Sequence, residues 1–462
     1  MRVCCTPLND DYITADCTAL QDLADAPRLA MTDSEDEGSL DDECPINEEW
    51  LEDVLGCYHR QRYATDQQLC VKVGDFTVKP GCAASESVLS DIVAVGVDYK
   101  LLLALERGRE AEETSHSLSL VVKLLPSDPF SRLFVTEAQF DLREISFYTK
   151  VVPDLEALDP DSVLPIPRCY YARYAPATDI APPESLLVLD NLKAQGYKGQ
   201  PFSLGLNLHQ ARAALTSVAR LHALTLVLKL RDPDCRPLSE RYPFLFAAER
   251  ASESYQELVE RGMPLVDDFL RRRPGMEPVA RALARLRPLT KSLMTELLAP
   301  VGSMALITHT DFWCNNLLFK DAGGDQGELT CAVLDWQMAT YSRPTNDLAL
   351  LLLSSLSTAL RRESETDLVD TYWRSFTSTA SRLGVDIEAE HGYDRRQLDA
   401  DLQRSKLLAI LLCIGSVEVA IGDPLTEQRL LDVLTDLHQD GALDVQSGDA
   451  VEPLSPVEQP DA

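Results

Sequence analysis

The chain has 462 residues, of which 45% are hydrophobic and 25% are charged. A chain of this length and composition forms either one large two-lobed unit or two to three domains, with ample core to bury. Its 74 acidic side chains exceed its 43 basic ones and give a net charge of −31. This charge repels the phosphates of nucleic acids and anionic lipids, so neither nucleic acid nor a membrane is expected as a partner.

The cysteines and the N-terminal stretch favour a reduced, cytoplasmic protein. The twelve cysteines form no CxxC pair, and the first residues lack the apolar run of a signal peptide. The longest apolar run, Leu407 to Val419, is interrupted by Glu418 and is too short to span a bilayer. We therefore expect a cytoplasmic location.

Both ends of the chain are strongly acidic. Residues 31–55 contain eleven acidic side chains and no lysine or arginine, and the segment after Arg429 is also free of basic residues. We therefore assign residues 1–56 to a disordered acidic arm and residues 439–462 to a disordered acidic tail. No protein partner is predicted. An arm that binds a partner or covers the active site is the less favoured alternative.

Residues 57–190 are predicted to form a small β-rich lobe with one helix. Short β-rich runs occupy residues 68–104, and the next strand alternates so that one face is apolar, with Leu118, Leu120, Val122 and Leu124. The other face carries Lys123. A lysine inside an apolar strand is costly unless it meets an anion, although a lysine at a sheet edge can reach water.

The predicted helix of this lobe covers residues 134–151. It has an apolar stripe, and Glu144 lies beside that stripe. Beyond two further strand-like runs, residues 191–438 consist mainly of long helical segments, interrupted by short apolar strands at 305–308 and 331–335. The expected fold class is therefore α+β, with a small β-rich N-lobe and a larger helical C-lobe.

The strongest chemical signal is the stretch HTDFWCNNLLF at 309–319, followed by AVLDWQ at 332–337. In phosphoryl transfer the protein does little covalent chemistry. It neutralises the charge of the phosphates and orients the attacking hydroxyl group. Asp311 and Asn316 share one loop, and Asp335 ends the next strand, so their side chains can converge. Asx residues are also common turn formers, but their oxygen atoms are the ligands that Mg²⁺ prefers.

Four motifs follow one another in the chain: Phe140, Glu144, Phe147 and Tyr148; then Leu187 to Leu192; then His309 to Trp313 with Asn316 and Phe319; then Asp335-Trp336-Gln337 with Pro344, Asp347 and Leu348. This order resembles the ecdysteroid-kinase-like (CHK kinase-like) family, in the superfamily of choline and aminoglycoside kinases. The resemblance covers roughly residues 70–430.

The resemblance implies a two-lobed, protein-kinase-like fold and an ATP-dependent kinase that phosphorylates a hydroxyl group of a small molecule. A steroid-like alcohol is one candidate acceptor. Asp311 would be the catalytic base, and Asn316 and Asp335 would bind Mg²⁺. Lys123, positioned by Glu144, would hold the phosphates of ATP. The remaining nucleotide contacts would come from Ser87, Ser90, Leu187, Leu189 and Asp190.

The sequence departs from this pattern at three places. The phosphate loop, Ser85 to Ser90, lacks the usual glycine; Thr310 replaces the glycine before the catalytic aspartate; and Asn191 replaces an aspartate. A catalytically weak kinase-like binding or scaffold protein is therefore the alternative. A protein kinase is disfavoured, because only eleven residues separate Asp335 from Asp347 and leave no room for an activation segment.

Overall fold

The computed structural model of the chain describes residues 46–63, 69–82, 89–103, 112–178, 181–231, 237–245, 248–300, 304–321, 323 and 329–444. The first 45 residues, the loop segment that contains Ser87, and the last 18 residues lie outside this description. Most of the predicted arm and tail, and the Ser87 contact, are therefore not covered by the structure.

The N-lobe is built on an antiparallel five-stranded sheet with the strand order β1-β2-β3-β5-β4. Its strands are β1 (Leu69–Pro80), β2 (Asp91–Leu103), β3 (Glu112–Leu124), β4 (Cys169–Ala175) and β5 (Glu184–Asp190). The alternation predicted for β3 is confirmed: Leu120 and Val122 are fully buried, and Leu118 and Leu124 pack against the same cluster. The opposite face of β3 therefore carries Lys123 toward the C-lobe.

A helix precedes the sheet: α1 (Glu48–Tyr63) packs against β1 and β4. Its buried stripe includes Leu51, Val54 and Leu55, and Glu52 pairs with Lys72 at 3.2 Å. The predicted acidic arm extended to residue 56, and the N-lobe was predicted to have a single helix; both predictions need correction here. The segment is rich in acidic side chains, but its apolar residues recur at helical spacing, and this stripe allows it to pack as a helix against the sheet.

The helix predicted at 134–151 consists of several pieces. After α2 (Pro129–Glu137), Gln139 adopts a left-handed conformation with φ of 56°, and α3 (Phe140–Ser146) starts in a new direction. A π-helical turn, Phe147–Val151, and α4 (Val152–Leu158) complete the segment. The break lets α3 face the C-lobe with Glu144 buried.

The C-lobe is mainly helical and contains the larger hydrophobic cluster. Its helices are α5 (Leu208–Leu230), α6 (Leu238–Arg241), α7 (Ala248–Arg271), α8 (Glu277–Leu286), α9 (Thr290–Leu298), α10 (Thr345–Ser354), α11 (Thr358–Arg382), α12 (Ile387–His391), α13 (Arg395–Gly415) and α14 (Pro424–Gln439). Two small antiparallel two-stranded sheets pair β6 (Leu306–Thr308) with β9 (Thr340–Ser342) and β7 (Leu317–Asp321) with β8 (Leu329–Val333). The predicted two-lobed α+β architecture is confirmed.

Among the described helices, α5 is long and apolar enough to cross a membrane by length and composition. Its most apolar window is 72% buried inside the protein, and the helix packs against α11 and β8. Such burial is typical of the central helix of a folded core. The apolar run after Leu407 lies largely within α13 and is likewise mostly buried.

Candidate active site

The ammonium group of Lys123 joins three elements of the fold. Its Nζ lies 2.6 Å from Glu144 Oε2 on α3 and 2.6 Å from Asp335 Oδ1 after β8. Burial alone would lower the pKa of Lys123, but the carboxylates of Asp335 and Glu144 raise this pKa above its ordinary value. The lysine is therefore charged, and its bond to Asp335 joins two residues that are 212 positions apart in the sequence.

The loop after β6 contains Asp311 and Asn316. Asn316 Nδ2 donates to Asp311 Oδ2 at 2.7 Å and to the Asp311 carbonyl at 2.9 Å. The backbone N–H of Leu334, next to Asp335, donates to the Asn316 carbonyl at 2.9 Å. The structure thus brings Asp311, Asn316 and Asp335 to one site, as the sequence predicted from their spacing.

Asp311 lies in surroundings that disfavour its ionised form. Burial raises the pKa of Asp311 to about 6, and the charge of Asp335 acts in the same direction. His309 and the hydrogen-bond donors Asn316 and Trp313 act in the opposite direction. A carboxylate with a raised pKa is a better proton acceptor at neutral pH than an ordinary one, which suits a general base.

Asp347, near the start of α10, accepts hydrogen bonds from the backbone of the loop that follows β6. Its Oδ2 accepts from the backbone N–H of His309 at 2.8 Å, and its Oδ1 accepts from that of Thr310 at 2.7 Å. The ring of His222 also lies within hydrogen-bond distance of this carboxylate, at 3.1 Å, and its other nitrogen meets Tyr372. Charge-assisted bonds of this kind hold the backbone before Asp311 in one conformation.

The structure explains one departure from the family pattern. Thr310 has a φ of 66°, a left-handed conformation that glycine adopts without strain and threonine adopts at a cost. Its hydroxyl group lies 2.7 Å from that of Thr340, and its backbone N–H binds Asp347. These bonds offset the strain, so the loop keeps its shape with threonine in place of glycine.

A pocket lies beside Lys123 between the sheet and α3, and its lining includes Ser90, Glu144, Leu187 and Gln337. Leu187 pairs with Lys123 in the register of β5 against β3. The pocket thus contains three of the predicted nucleotide contacts, Lys123, Ser90 and Leu187, together with Glu144, which was predicted to position Lys123. It also contains Asp141, a buried residue that is not among the predicted site residues.

Leu189 and Asp190, two of the predicted nucleotide contacts, lie at the end of β5, where the chain passes from the N-lobe into the connection to the C-lobe. Leu189 is buried in β5, and Asp190 accepts a hydrogen bond from Tyr170 at 2.9 Å. The backbone N–H groups of Asp190 and Asn191 already donate to the carbonyl groups of Arg168 and Ser119. Contact with a base at this connection would therefore have to use other groups, such as the backbone carbonyls.

The oxygen ligands of the site suit Mg²⁺. Asn316 directs its amide nitrogen to Asp311, and its amide oxygen accepts no hydrogen bond in the described part of the chain. Asp335 presents a carboxylate that is about 29% exposed. The described residues contain no cluster of three or more carboxylate, imidazole or thiol groups arranged for a metal. A pair of oxygen ligands fits Mg²⁺, which keeps waters and substrate phosphates in its coordination shell.

Comparisons with known proteins give one family match and several remote structural similarities. Residues 85–385 match the ecdysteroid kinase-like family, and no curated protein is significantly similar to the chain. A choline kinase from Cryptosporidium parvum Iowa II is 11% identical with a TM-score of 0.43, and the match covers 79% of this chain and 91% of that one. A Plasmodium vivax ethanolamine kinase is 11% identical, with a TM-score of 0.37 and coverage of 78% and 81%.

A microcompartment-associated aminopropanol kinase is 12% identical, with a TM-score of 0.36 and coverage of 80% of this chain and 94% of that one. These structural similarities are remote. The family match is more informative, because it extends over more than half of the chain and includes Lys123, Glu144, Asp311, Asn316 and Asp335. The protein therefore belongs to the ecdysteroid kinase-like family, as the order of its sequence motifs predicted.

Proposed function

We propose that the protein is an ATP-dependent kinase that phosphorylates a hydroxyl group of a small molecule. The observation that carries this proposal is the position of Lys123 between Glu144 and Asp335. A partly buried lysine held by two carboxylates, next to an Asp311–Asn316 pair, is an arrangement that can position a nucleotide phosphate opposite a proton acceptor. Family membership supports the same activity.

Each residue has a defined part in the reaction. Lys123, positioned by Glu144, binds the phosphates of ATP, and Asp311 accepts the proton of the acceptor hydroxyl group. The acceptor oxygen forms a bond to the γ-phosphorus while the bond from that phosphorus to the β–γ bridging oxygen breaks, and ADP leaves. Mg²⁺ held by Asn316 and Asp335 would neutralise charge on the phosphate oxygens. In this scheme, Asp347 positions the loop and does not contact the substrate.

The acceptor in this proposal is a small alcohol in the cytoplasm, and a steroid-like alcohol is one candidate. The short segment between Asp335 and Asp347 is entirely buried apart from the region of Asp335 itself. It therefore offers no platform on which a polypeptide substrate could dock. The alternative, a catalytically weak kinase-like protein, requires that ATP either does not bind or is not consumed.

The first experiment measures Mg²⁺-dependent ATP binding by isothermal titration calorimetry. Wild type is compared with Asp335→Asn and with Asp159→Asn, a matched control whose carboxylate pairs with Arg382 outside the site. We expect Mg²⁺-dependent binding by wild type and by the control, and its loss in Asp335→Asn. A screen of hydroxylated acceptors, with steroids first, then follows. No ATP binding by wild type at millimolar nucleotide would refute the kinase proposal.

A further inference from the structure

The α1 helix covers one face of the N-lobe sheet. On β5 this face is formed by Leu186 and Val188, which are buried in the same cluster as the apolar stripe of α1. Because side chains alternate along a strand, Leu187 lies on the opposite face with Lys123, its register partner on β3. Asp190 ends β5 at an even-numbered position. Its side chain therefore points to the α1 face and away from the face with Lys123.

Tyr170 on β4 holds Asp190 on that face. Its hydroxyl group donates to Asp190 Oδ1 at 2.9 Å, and a bond to a charged acceptor is stronger than one between neutral groups. Burial and the charge of Asp190 raise the pKa of Tyr170 above its ordinary value, so the hydroxyl group keeps its proton. The backbone N–H of Asp190 donates to the carbonyl of Arg168 at 2.9 Å. Both the side chain and the backbone of Asp190 are thus bound to β4 and the residue before it.

Tyr58 of α1 packs directly on Tyr170. The two rings have centroids 4.5 Å apart and 38° between their planes, and both residues are buried. The hydroxyl group of Tyr58 accepts hydrogen bonds from Arg62 of the same helix and from Arg168, the latter at 3.4 Å. A continuous set of contacts therefore leads from α1 through Tyr170 and Arg168 to Asp190.

The next residue of the connection is bound to β3. The backbone N–H of Asn191 donates to the Ser119 carbonyl at 3.0 Å, and its Nδ2 donates to the Ser119 hydroxyl group at 3.1 Å. An aspartate, which Asn191 replaces, has no amide group to make the second bond. Ser119 lies four residues before Lys123 on the same strand. The connection between the lobes is therefore attached to β3 as well as to β4.

We propose that Tyr58 and Tyr170 are positioning residues for the connection between the lobes, and that through them α1 sets the geometry of the nucleotide-binding cleft. The α1 helix precedes residues 85–385, which match the family, so its contribution is additional to the family motifs. Leu187 and Leu189, two of the predicted nucleotide contacts, precede Asp190 on β5. A shift of Asp190 therefore displaces the end of β5 relative to Lys123.

Amide hydrogen exchange on the full chain, followed by mass spectrometry of peptides that cover residues 186–195, tests the positioning. Tyr170→Phe removes the donor to Asp190 but keeps the ring, and Tyr58→Leu removes the ring that packs on Tyr170. In both variants we expect the amides of Asp190 and Asn191 to exchange at least about tenfold faster than in wild type. Unchanged exchange at these two amides would overturn the proposal.

Leu51→Ala is the matched control for a general loosening of α1. Leu51 is fully buried in the same apolar stripe, about two helical turns before Tyr58. We expect this variant to lower the midpoint of thermal unfolding at least as much as Tyr170→Phe does. Its exchange at Asp190 and Asn191 should stay within about twofold of wild type. Equally fast exchange in Leu51→Ala would show that the two tyrosines only pack in the core.

The consequence for the nucleotide rests on the proposed kinase function. We expect the affinity for Mg·ATP, measured by calorimetry, to fall at least about fivefold in Tyr170→Phe and Tyr58→Leu and to be unchanged in Leu51→Ala. In slow hydrolysis of Mg·ATP, KM should rise while kcat stays within about twofold, because the loop with Asp311 is not altered. Wild-type affinity in both tyrosine variants would overturn the role of α1 in the cleft. If wild type binds no Mg·ATP, the proposed kinase function fails, while the exchange rates still decide whether the tyrosines position the connection.

Discussion

The rings of Phe147 and Trp336 lie parallel, with centroids 3.9 Å apart and 5° between their planes. Phe147 follows α3, which carries Glu144, and Trp336 follows Asp335. The ring centroid of His309, in the loop after β6, lies 4.7 Å from that of Trp336. The aromatic stack therefore joins the two segments that carry the carboxylates bound to Lys123.

Replacing Phe147 by leucine tests this coupling. The variant Phe147→Leu removes the stacked ring but keeps an apolar side chain, so we expect the free energy of unfolding to fall by about 1–3 kcal/mol. Because α3 can then shift relative to Asp335, the affinity for Mg·ATP should fall at least about fivefold. Calorimetric titration and denaturant unfolding measure the two effects.

Phe269→Leu is the matched control, since Phe269 is a similarly buried ring on α7, remote from Lys123. It should lose comparable stability and keep its affinity for Mg·ATP. Equal nucleotide affinity in Phe147→Leu and wild type would show that the stack contributes to packing alone.

The sequence indicated which candidate site residues lie close together, because the signals for them are local. Alternation along β3 placed Lys123 on the face opposite to the apolar one, and the order of the motifs linked Glu144, Asp311 and Asp335 before any distances were available. The structure brings these four residues together. Short polar motifs that follow strands can be recognised from sequence alone, because loops at the ends of strands form binding and catalytic sites in many folds.

Other features depend on contacts that no local pattern reveals. The α1 helix lies partly in a segment of high acidic density, and only packing against β1 and β4 shows that its apolar stripe is used. The break at Gln139 occurs without glycine or proline, so the sequence predicted one continuous helix. The environment of the Trp313 indole is likewise set by Phe202, more than a hundred residues earlier.

Thr310 provides a test of backbone strain in the loop that follows β6. Thr310→Gly relieves the left-handed conformation but loses the bond to Thr340, so we expect its stability to stay within about 1 kcal/mol of wild type. Thr310→Val keeps the strain and leaves the hydroxyl group of Thr340 with one partner fewer, which should cost about 2 kcal/mol. Denaturant unfolding of both variants measures the difference. A valine variant as stable as the glycine variant would contradict this account.

The carboxylate of Asp347 should be far more important for stability than an ordinary surface carboxylate. Asp347→Asn presents an amide N–H₂ group to donors at 2.7 and 2.8 Å, so at least one of these buried N–H groups loses its acceptor. We expect the free energy of unfolding to fall by about 3 kcal/mol. Asp401→Asn, at a partly exposed carboxylate that accepts from Tyr393, should cost no more than about 1 kcal/mol. Similar losses in the two variants would argue against the bracing role.

Asp141 should make the stability of the protein depend on pH. Burial raises the pKa of Asp141 to about 6, from an ordinary value of 3.8, and neither carboxylate oxygen makes a hydrogen bond of good geometry in the described chain. Between these two pH values the folded protein binds more protons at this group than the unfolded chain does. The contribution of Asp141 to stability is therefore lost as the pH rises from about 4 to about 6.

Asp141→Asn removes this ionisation, so we expect the variant to be more stable than wild type at pH 7.5, by an amount on the order of 3 kcal/mol. The gain should disappear near pH 4, where the wild-type carboxyl group is protonated in the folded state. Asp159→Asn is a control for which we expect the opposite pH dependence of stability, because the hydrogen bond from Arg382 lowers the pKa of Asp159. Its loss of stability should be larger at pH 7.5 than at pH 4. The stability of Asp141→Asn relative to wild type could instead be the same at both pH values. That result would show that a hydrogen-bond donor stabilises the ionised carboxylate of Asp141 in solution. The pocket beside Lys123 would then not hold an uncompensated negative charge.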